Sequence, residues 1–363
     1  MKATKNTKIS KADWKTVKLG EALEFKRGYD LPHAQMVEGQ FPVVGSSGII
    51  GWHNEFTTEA PSITIGRSGS VGRPYLHKGK SWSHNTALYI KDFKGNDPFY
   101  LYYLLFSIKP WQYGGGSAVP TLNRNDLHGI PISLPPLPTQ RKIAAVLGAL
   151  DDKIENNRKI CANLEAQAQA LFKSWFVDFE PFGGKMPKDW KMGKLGDVAE
   201  ITSGKRPPTR ANEKDCENQY PLLGASCIMG YTSEFMYDEP ILVTGRVGTH
   251  GIIQRSCEKC WPSDNTLVVK AECYEFAYQF LRNVDYSILN RGSTQPLITQ
   301  SDLKGLTIAI PAEKVLKEYE SRALALMAMW LKKESESRAL VELRDALLPR
   351  LMSGELDVEE VAV

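Results

Sequence analysis

Cys257-Glu258-Lys259-Cys260 has the Cys-x-x-Cys spacing that turns two thiolates toward one tetrahedral zinc ion. A closed site needs a second pair, and none follows; Cys216, Cys227 or Cys273 would have to lend a ligand, so reduced thiols and no metal are expected. Gly79-Lys80-Ser81 is similar to the end of a phosphate-binding loop, but Pro74 stands where its leading glycine belongs. Gly45 to Gly51 and Gly66 to Gly72 lack the spacing of a dinucleotide fingerprint and read as turns. A methyltransferase that grips a flipped adenine does so with an Asn/Asp-Pro-Pro-aromatic loop. The nearest phrase, Leu134-Pro135-Pro136-Leu137, offers no amide, acid or ring. Five of the six histidines precede residue 129 with no Ser or Asp at triad spacing, and no carboxylate pair comes with a matching Lys or metal-ligand set. No catalytic residue is assigned, and the chemistry left to the chain is binding.

The composition describes the body that would do it. The chain has 363 residues, enough for two cores. With 42% hydrophobic and 24% charged residues it is neither disordered nor membrane-embedded. No apolar run reaches the length of a membrane span, and the polar, basic start is no signal peptide, so a cytoplasmic protein is expected. The net charge of +3 is uneven: residues 1–137 carry +6, residues 138–182 and 183–310 are neutral, and residues 311–363 carry −3. An acidic partner such as nucleic acid fits the first of these segments.

The sequence also repeats itself. Trp14 to Glu21 returns as Trp190 to Asp197, an offset of 176, and Gly28 pairs with Gly204. With a drift to 179, Phe41 to Gly45 matches Tyr220 to Gly224 and Gly66-Arg67 to Gly72 matches Gly245-Arg246 to Gly251; Trp82 with Asn85-Thr86 answers Trp261 with Asn265-Thr266, the last pair at 180. At 176 again, Gly116-Ser117 matches Gly292-Ser293 and Asp126-Leu127 matches Asp302-Leu303. Each copy opens with short Val/Ile/aromatic runs broken by Gly and Pro, among them Ser62 to Gly66, and these predict strands and turns. Phe99 to Ser107 and Tyr274 to Arg282 predict short helices.

The second part of each copy is a rod. From Thr139 to about Asp178 there is no Pro and only Gly148, a stretch of helix on the order of 60 Å. Its apolar ladder steps by four and three through Ile143, Leu147, Leu150, Ile154, Asn157, Cys161, Leu164, Ala168, Leu171 and Trp175, the period of a coiled-coil seam with one polar member. The second rod, about Glu313 to Leu348, gives a poorer ladder through Val315, Tyr319, Arg322, Leu326, Met329, Lys333, Glu336, Leu340, Leu343, Leu347 and Arg350, with a polar middle at Lys332 to Arg338. Each rod must bury its stripe, and the other rod has matching length. The expected fold is therefore α+β: two tandem mixed α/β lobes separated by two long antiparallel coiled-coil helices, related by a pseudo-twofold repeat. The offset of 176 pairs Asn157 with Lys333, which are expected to set helix register.

These residues resemble one family along nearly the whole chain: the specificity subunit of a Type I restriction-modification enzyme. The resemblance lies in the ordered set of phrases. Trp14 to Gly20 and Trp190 to Gly196 open the two copies, Leu134-Pro135-Pro136-Leu137-Pro138-Thr139-Gln140 leads into the first rod, Leu171 to Phe179 closes it, and Leu347 to Leu356 ends the chain. Thr139 stands where the family has an acid, and Ile310-Pro311-Ala312-Glu313 lacks the second proline and the glutamine. The resemblance implies target-recognition domains at 1–137 and 183–310, a spacer helix at 138–182, and a second spacer helix with a C-terminal tail at 311–363. It implies double-stranded DNA as ligand, each domain reading half of a split target, and two modification (methyltransferase) subunits docked on the helices, with restriction/translocase subunits beyond them. The chain itself would hold no cofactor: S-adenosylmethionine, ATP and magnesium would sit on partner subunits.

Reading DNA needs side chains that reach base edges and cations that meet phosphates. The first domain's loop candidates are Lys26, Arg27, Arg67, Ser68, Ser70, His84, Asn85, Tyr113, Ser117, Thr121, Asn123 and Arg124. The second offers Lys205, Arg206, Arg210, Arg246, Thr249, His250, Asn265, Arg291, Ser293, Thr294 and Gln295. Arg67 and Arg246 hold the same place in both copies, and an arginine there also suits closing a turn. Two other readings remain open to the sequence: an adaptor binding protein or carbohydrate, which explains the repeat and rods less well, and a self-contained nuclease or hydrolase, for which the chain offers no recognisable catalytic set.

Overall fold

The computed structural model describes residues 13–113, 121–247, 251–289 and 297–361. The chain divides into two compact units, Met1–Asn157 with Ser335–Val363, and Arg158–Glu334.

The first unit starts with β1 (Lys15–Lys18) and a single turn, α1 (Leu19–Ala22). It continues through β2 (Glu24–Arg27), β3 (Phe41–Gly45), β4 (Gly48–His53), β5 (Ser62–Gly66), β6 (Pro74–His77), β7 (Trp82–Ser83) and β8 (Ala87–Asp92). Then come α2 (Pro98–Ile108), α3 (Arg124–His128), β9 (Pro131–Leu134) and the long α4 (Leu137–Phe176). The strands make an antiparallel sheet in the order β2-β8-β5-β6, a three-stranded sheet β4-β3-β7 in which β3 and β7 run parallel, and a ribbon β1-β9. Every residue of β5 is buried, so Ile63 and Ile65 pack with Leu88, Ile90 and Phe25 against Tyr100, Leu101 and Leu105 of α2. Asp97 starts α2 by accepting a hydrogen bond from Tyr100 N at 2.9 Å, with Pro98 at the first helical position.

Gln140 explains the phrase that leads into α4. Its side chain is buried; Oε1 accepts from Asp97 N (2.9 Å), and Nε2 donates to Asn96 Oδ1 (2.8 Å) and Pro135 O (2.9 Å). The amide thus bolts the start of α4 to the N-terminus of α2. Ile143, Ala144 and Leu147 extend the same core, and Leu351, Met352 and Val358 from the end of the chain close it. Within this unit the two long helical segments run antiparallel: Arg344 Nη1 donates to Asp151 Oδ1 (2.7 Å), whose Oδ2 accepts from Tyr103 of α2 (2.6 Å), while Glu336 meets Lys153 (3.5 Å) and Asn157.

The second unit uses the same plan. Its strands are β10 (Lys191–Lys194), β11 (Ala199–Ser203), β12 (Tyr220–Leu223), β13 (Ile228–Thr232), β14 (Ile241–Gly245), β15 (Gln254–Ser256), β16 (Trp261–Pro262), β17 (Thr266–Ala271) and β18 (Thr307–Ile310). The helices are α5 (Tyr274–Arg282), α6 (Gln300–Lys304) and α7 (Glu313–Met352). The sheet orders are β11-β17-β14-β15, β13-β12-β16 and β10-β18, strand for strand those of the first unit. Phe172, Trp175 and Phe176 of α4 pack with Tyr319 and Ala323 of α7 against Phe276, Ala277 and Leu281 of α5. The glutamine missing from the second helix start has a substitute one turn further on. Glu320 of α7 is buried and accepts from Glu275 N (2.9 Å) and Phe276 N (3.1 Å), so a carboxylate holds the start of α5 where an amide holds α2.

Arg255 of β15 closes this unit. It donates to Glu165 of α4 (2.5 Å) and to the buried Glu275 of α5 (2.6 Å), and its guanidinium lies 3.6 Å from the centre of the Tyr278 ring. Burial pushes the Glu275 carboxyl up to about 7, with Arg255 pulling the other way.

The ladder expected along α4 is buried at nine of its ten positions, with Leu171 half-buried. That expected on α7 needs correction. Met329 and Leu343 are exposed, as is Arg322, and the helix buries Ala323, Met327 and Ser337 instead. The buried stripe of α7 mixes large Tyr319 and Met327 with small Ala323 and Ser337, whereas the ladder read from the sequence kept a strict four-three step whatever residue it met. The register pair changes too. Asn157 is fully buried, and the bond its Nδ2 donates is accepted by Glu336 (3.1 Å), three residues past Lys333. The glutamate carboxylate is an acceptor for an amide N–H, which an ammonium is not. No helix among the described residues is long and apolar enough to cross a membrane.

Candidate nucleic-acid interface

In the first unit, main-chain hydrogen bonds draw the candidate loops to one place. After β2, Gly28 N donates to Ala87 O (3.0 Å) and Tyr29 N to Ser83 O (2.8 Å). A Cβ on Gly28 would fall 2.5 Å from Ser83 O, so only glycine lets the chain after Arg27 press on the turn that carries His84 and Asn85. Arg67 N donates to Thr86 O (2.8 Å), Leu122 N donates to Arg67 O (2.9 Å), and Ser68 bridges Thr121. The tight turn holding Trp111 and Tyr113 packs on Gly72 of the same loop. Lys26, Arg27, Arg67, Ser68, Ser70, His84, Asn85, Tyr113 and Thr121 therefore belong to one assembly, with Asn123 and Arg124 following Thr121.

Some of these side chains are already engaged. Asn123 caps α3 by accepting from Asn125 N (3.0 Å), Asn85 donates to Asp30, His84 Nδ1 lies 2.9 Å from Thr86 Oγ1, and Lys26 Nζ donates to Tyr29 Oη (3.0 Å). That bond and the charge of Lys26 lower the Tyr29 phenol below its usual range. The guanidinium groups of Arg27, Arg67 and Arg124, by contrast, have no hydrogen-bond or ion-pair partner among the described residues. The same holds for Arg73, which sequence matching passed over because its repeat counterpart is Ile252. It is exposed, on the same loop, its carbonyl accepting from Gly66 N (3.3 Å). Exposed Trp111 was missed for a similar reason: it lies outside the matched segments.

The second unit assembles its loops through equivalent bonds. Gly204 N donates to Thr266 O (3.1 Å), Lys205 N to Pro262 O (3.0 Å), Arg246 N to Asn265 O (2.8 Å) and Ile298 N to Arg246 O (3.0 Å). The Trp261 indole adds a bond to Lys205 O (2.8 Å). A Cβ on Gly204 would sit 2.5 Å from Pro262 O, repeating the close approach at Gly28. Lys205, Arg206, Arg246 and Asn265 thus gather around one turn. Arg210 stands apart from it, because Ala211 exchanges both main-chain bonds with Tyr231 of β13 (2.8 and 2.9 Å). Arg206, Arg210 and Arg246 also have no side-chain partner among the described residues. Ser117, Thr249, His250, Arg291, Ser293, Thr294 and Gln295 lie outside the described residues.

All six cysteines carry free thiols, and burial raises Cys257 and Cys260. Among the described residues no group of three His, Cys, Asp or Glu is placed to hold a metal ion.

Two guanidinium-bearing loops built alike, on two copies of one sheet arrangement, invite comparison with known proteins. The chain is 30% identical over 306 residues to the Type I restriction enzyme MjaIX specificity subunit of Methanocaldococcus jannaschii, covering 72% of this chain and 70% of that protein. It is 22% identical over 356 residues to the HindI specificity subunit of Haemophilus influenzae, covering 71% and 77%. The fold is similar to the crystal structure of the Type I restriction-modification system S subunit from M. genitalium, with a TM-score of 0.68, 16% identity, and 97% and 98% of the two chains covered. Residues 11–166 and again 187–335 match the Type I restriction modification DNA specificity domain, and the chain belongs to that family.

Proposed function

We propose that this chain is the DNA sequence-specificity subunit of a Type I restriction-modification complex. The lobes at 1–137 and 183–310 each read half of a bipartite target. The helical segments at 138–182 and 311–363 pair as an antiparallel coiled coil that relates the lobes as a pseudo-twofold repeat, sets the gap and docks two modification subunits, with restriction/translocase subunits joining the assembly. Adenine methylation and ATP hydrolysis belong to those partners, which hold S-adenosylmethionine, ATP and magnesium; this chain recognises DNA without catalysing, and works in the cytoplasm. The observation that carries the reading is the twice-built loop in which Arg67 and Arg246 are fixed by equivalent main-chain bonds while their guanidinium groups are unpartnered among the described residues. An arginine held by its backbone with its fork unengaged can meet phosphate or guanine without first breaking an ion pair.

The test is to map methylated adenines after co-expression with a methyltransferase partner. A split motif whose halves lie about one helical turn apart is expected. A contiguous site of a few base pairs, or methylation indifferent to which specificity chain is present, refutes it.

A further inference from the structure

Both lobes carry an irregularity at the same place beside the arginine loop. The register of β3 against β4 shifts between Val43 and Val44, and that of β12 against β13 between Leu222 and Leu223. Such a bulge breaks the alternation by which successive side chains face opposite sides of a strand. Ile49 and Ile50 consequently both face solvent, and Ile228, at the repeat position of Ile49, is 53% exposed. Ile50 and Met229 lie over the glycine at the end of β3 and just past the end of β12: a Cβ there would be 3.1 Å from Ile50 on Gly45 and 3.2 Å from Met229 on Gly224.

The hairpins also touch the interface. His84 N donates to Val44 O (2.8 Å), and a Cβ on Gly66, next to Arg67, would be 2.8 Å from Ser46 O. In the second lobe Ser263 N donates to Leu223 O (2.9 Å) and Gln254 Nε2 to Gly224 O (2.7 Å). Many polar positions around these loops differ between the lobes, as Ser68 does from Val247 and His84 from Ser263, but the exposed isoleucine is the same in both. A contact common to two readers of different sequence suits the face of a base step better than a donor-acceptor pattern, because every step has an apolar face.

We propose that Ile49 and Ile228 are apolar DNA contacts, each pressed by its hairpin tip between bases beside Arg67 or Arg246 so that the stack opens there. The inference rests on the reading of both lobes as DNA readers and adds the contact that distorts the duplex. Flanking arginines without side-chain partners among the described residues favour DNA over a protein on this surface.

The full chain is assembled with its methyltransferase partner, as wild type and with Ile49→Ala or Ile228→Ala, on duplexes carrying 2-aminopurine in one half-site or the other. Truncating an exposed side chain leaves folding intact, which a melting curve verifies. Each variant should bind about tenfold more weakly, with an unchanged salt slope, and should lose the 2-aminopurine fluorescence rise in its own half-site only. If the wild-type complex itself does not bind DNA, the functional reading falls. If it binds and the variants match it in affinity and fluorescence, this inference alone falls. It falls equally if a variant releases the methyltransferase while DNA contacts persist, since the hairpin would then be a protein-binding surface.

Discussion

Lys205 and Arg206 supply a strict test, because the second lobe as a whole is neutral and any phosphate contact there must come from local charge. Both side chains are exposed, and the main chain beneath them is fixed by the bonds of Gly204 and Lys205 and by the Trp261 indole, so little ordering is left for DNA to impose. Each phosphate neutralised contributes about 0.9 to the slope of log affinity against log salt, so replacing both residues by alanine should flatten the slope by about 1.8. Over a fourfold rise in salt the wild type should then lose about 12-fold more affinity than the variant. The assay is a salt series of binding isotherms for the assembled complex on a duplex holding both half-sites. Lys259 and Lys270, which pair with Asp238 (3.5 Å) and Glu239 (2.7 Å), give a charge-matched control when both are replaced. An unchanged slope, or a control that flattens it equally, refutes the assignment.

Three further outcomes are expected. Gly204→Ala places a methyl group against Pro262 O and should displace the basic loop, lowering the lobe's melting temperature and abolishing discrimination at one half-site, whereas Gly148→Ala, whose nearest neighbour is Tyr103 Oη at 4.0 Å, should stabilise α4 by about 1 kcal/mol in thermal unfolding. Arg255→Met should cost about 3–5 kcal/mol in denaturant unfolding at pH 8 by stranding Glu275. Because the folded carboxyl already titrates near 7, above its unfolded value, its protonated form is favoured by folding; the loss should therefore shrink below pH 6, and adding Glu275→Gln should remove that pH dependence. Asn157→Leu eliminates a buried Oδ1 that has no hydrogen-bond partner among the described residues and should raise the melting temperature by the equivalent of about 1–2 kcal/mol, at the expense of a single helix register as read by cysteine cross-linking at positions 151 and 344.

Much of the architecture could be read in advance, and for a definite reason. A tandem repeat shows twice where backbone geometry is constrained: Gly28 and Gly204 recur because a Cβ at either would strike a carbonyl of the facing turn, and Arg67 and Arg246 recur beside glycines that shape one loop. The α4 seam was legible because its large apolar residues repeat without interruption. The α7 seam was not. Leu324, Met329, Leu331 and Leu343 are as apolar as any core residue yet exposed, while the helix buries Ala323 and Ser337, which carry almost no hydropathy signal.

From its sequence alone this protein declares two copies of one unit, two long helices, and basic loops punctuated by glycine, since periodicity and spacing are properties of the chain. The partners of its polar side chains were decided only on folding. Glu336 rather than Lys333 receives the Asn157 amide, Glu320 takes over the task that Gln140 performs in the first unit, Asn123 is spent on a helix cap, and Arg73 joins a loop where its counterpart is apolar. Hydrogen bonds and ion pairs depend on distances of about 3 Å between residues remote in the chain, and no local pattern encodes those distances.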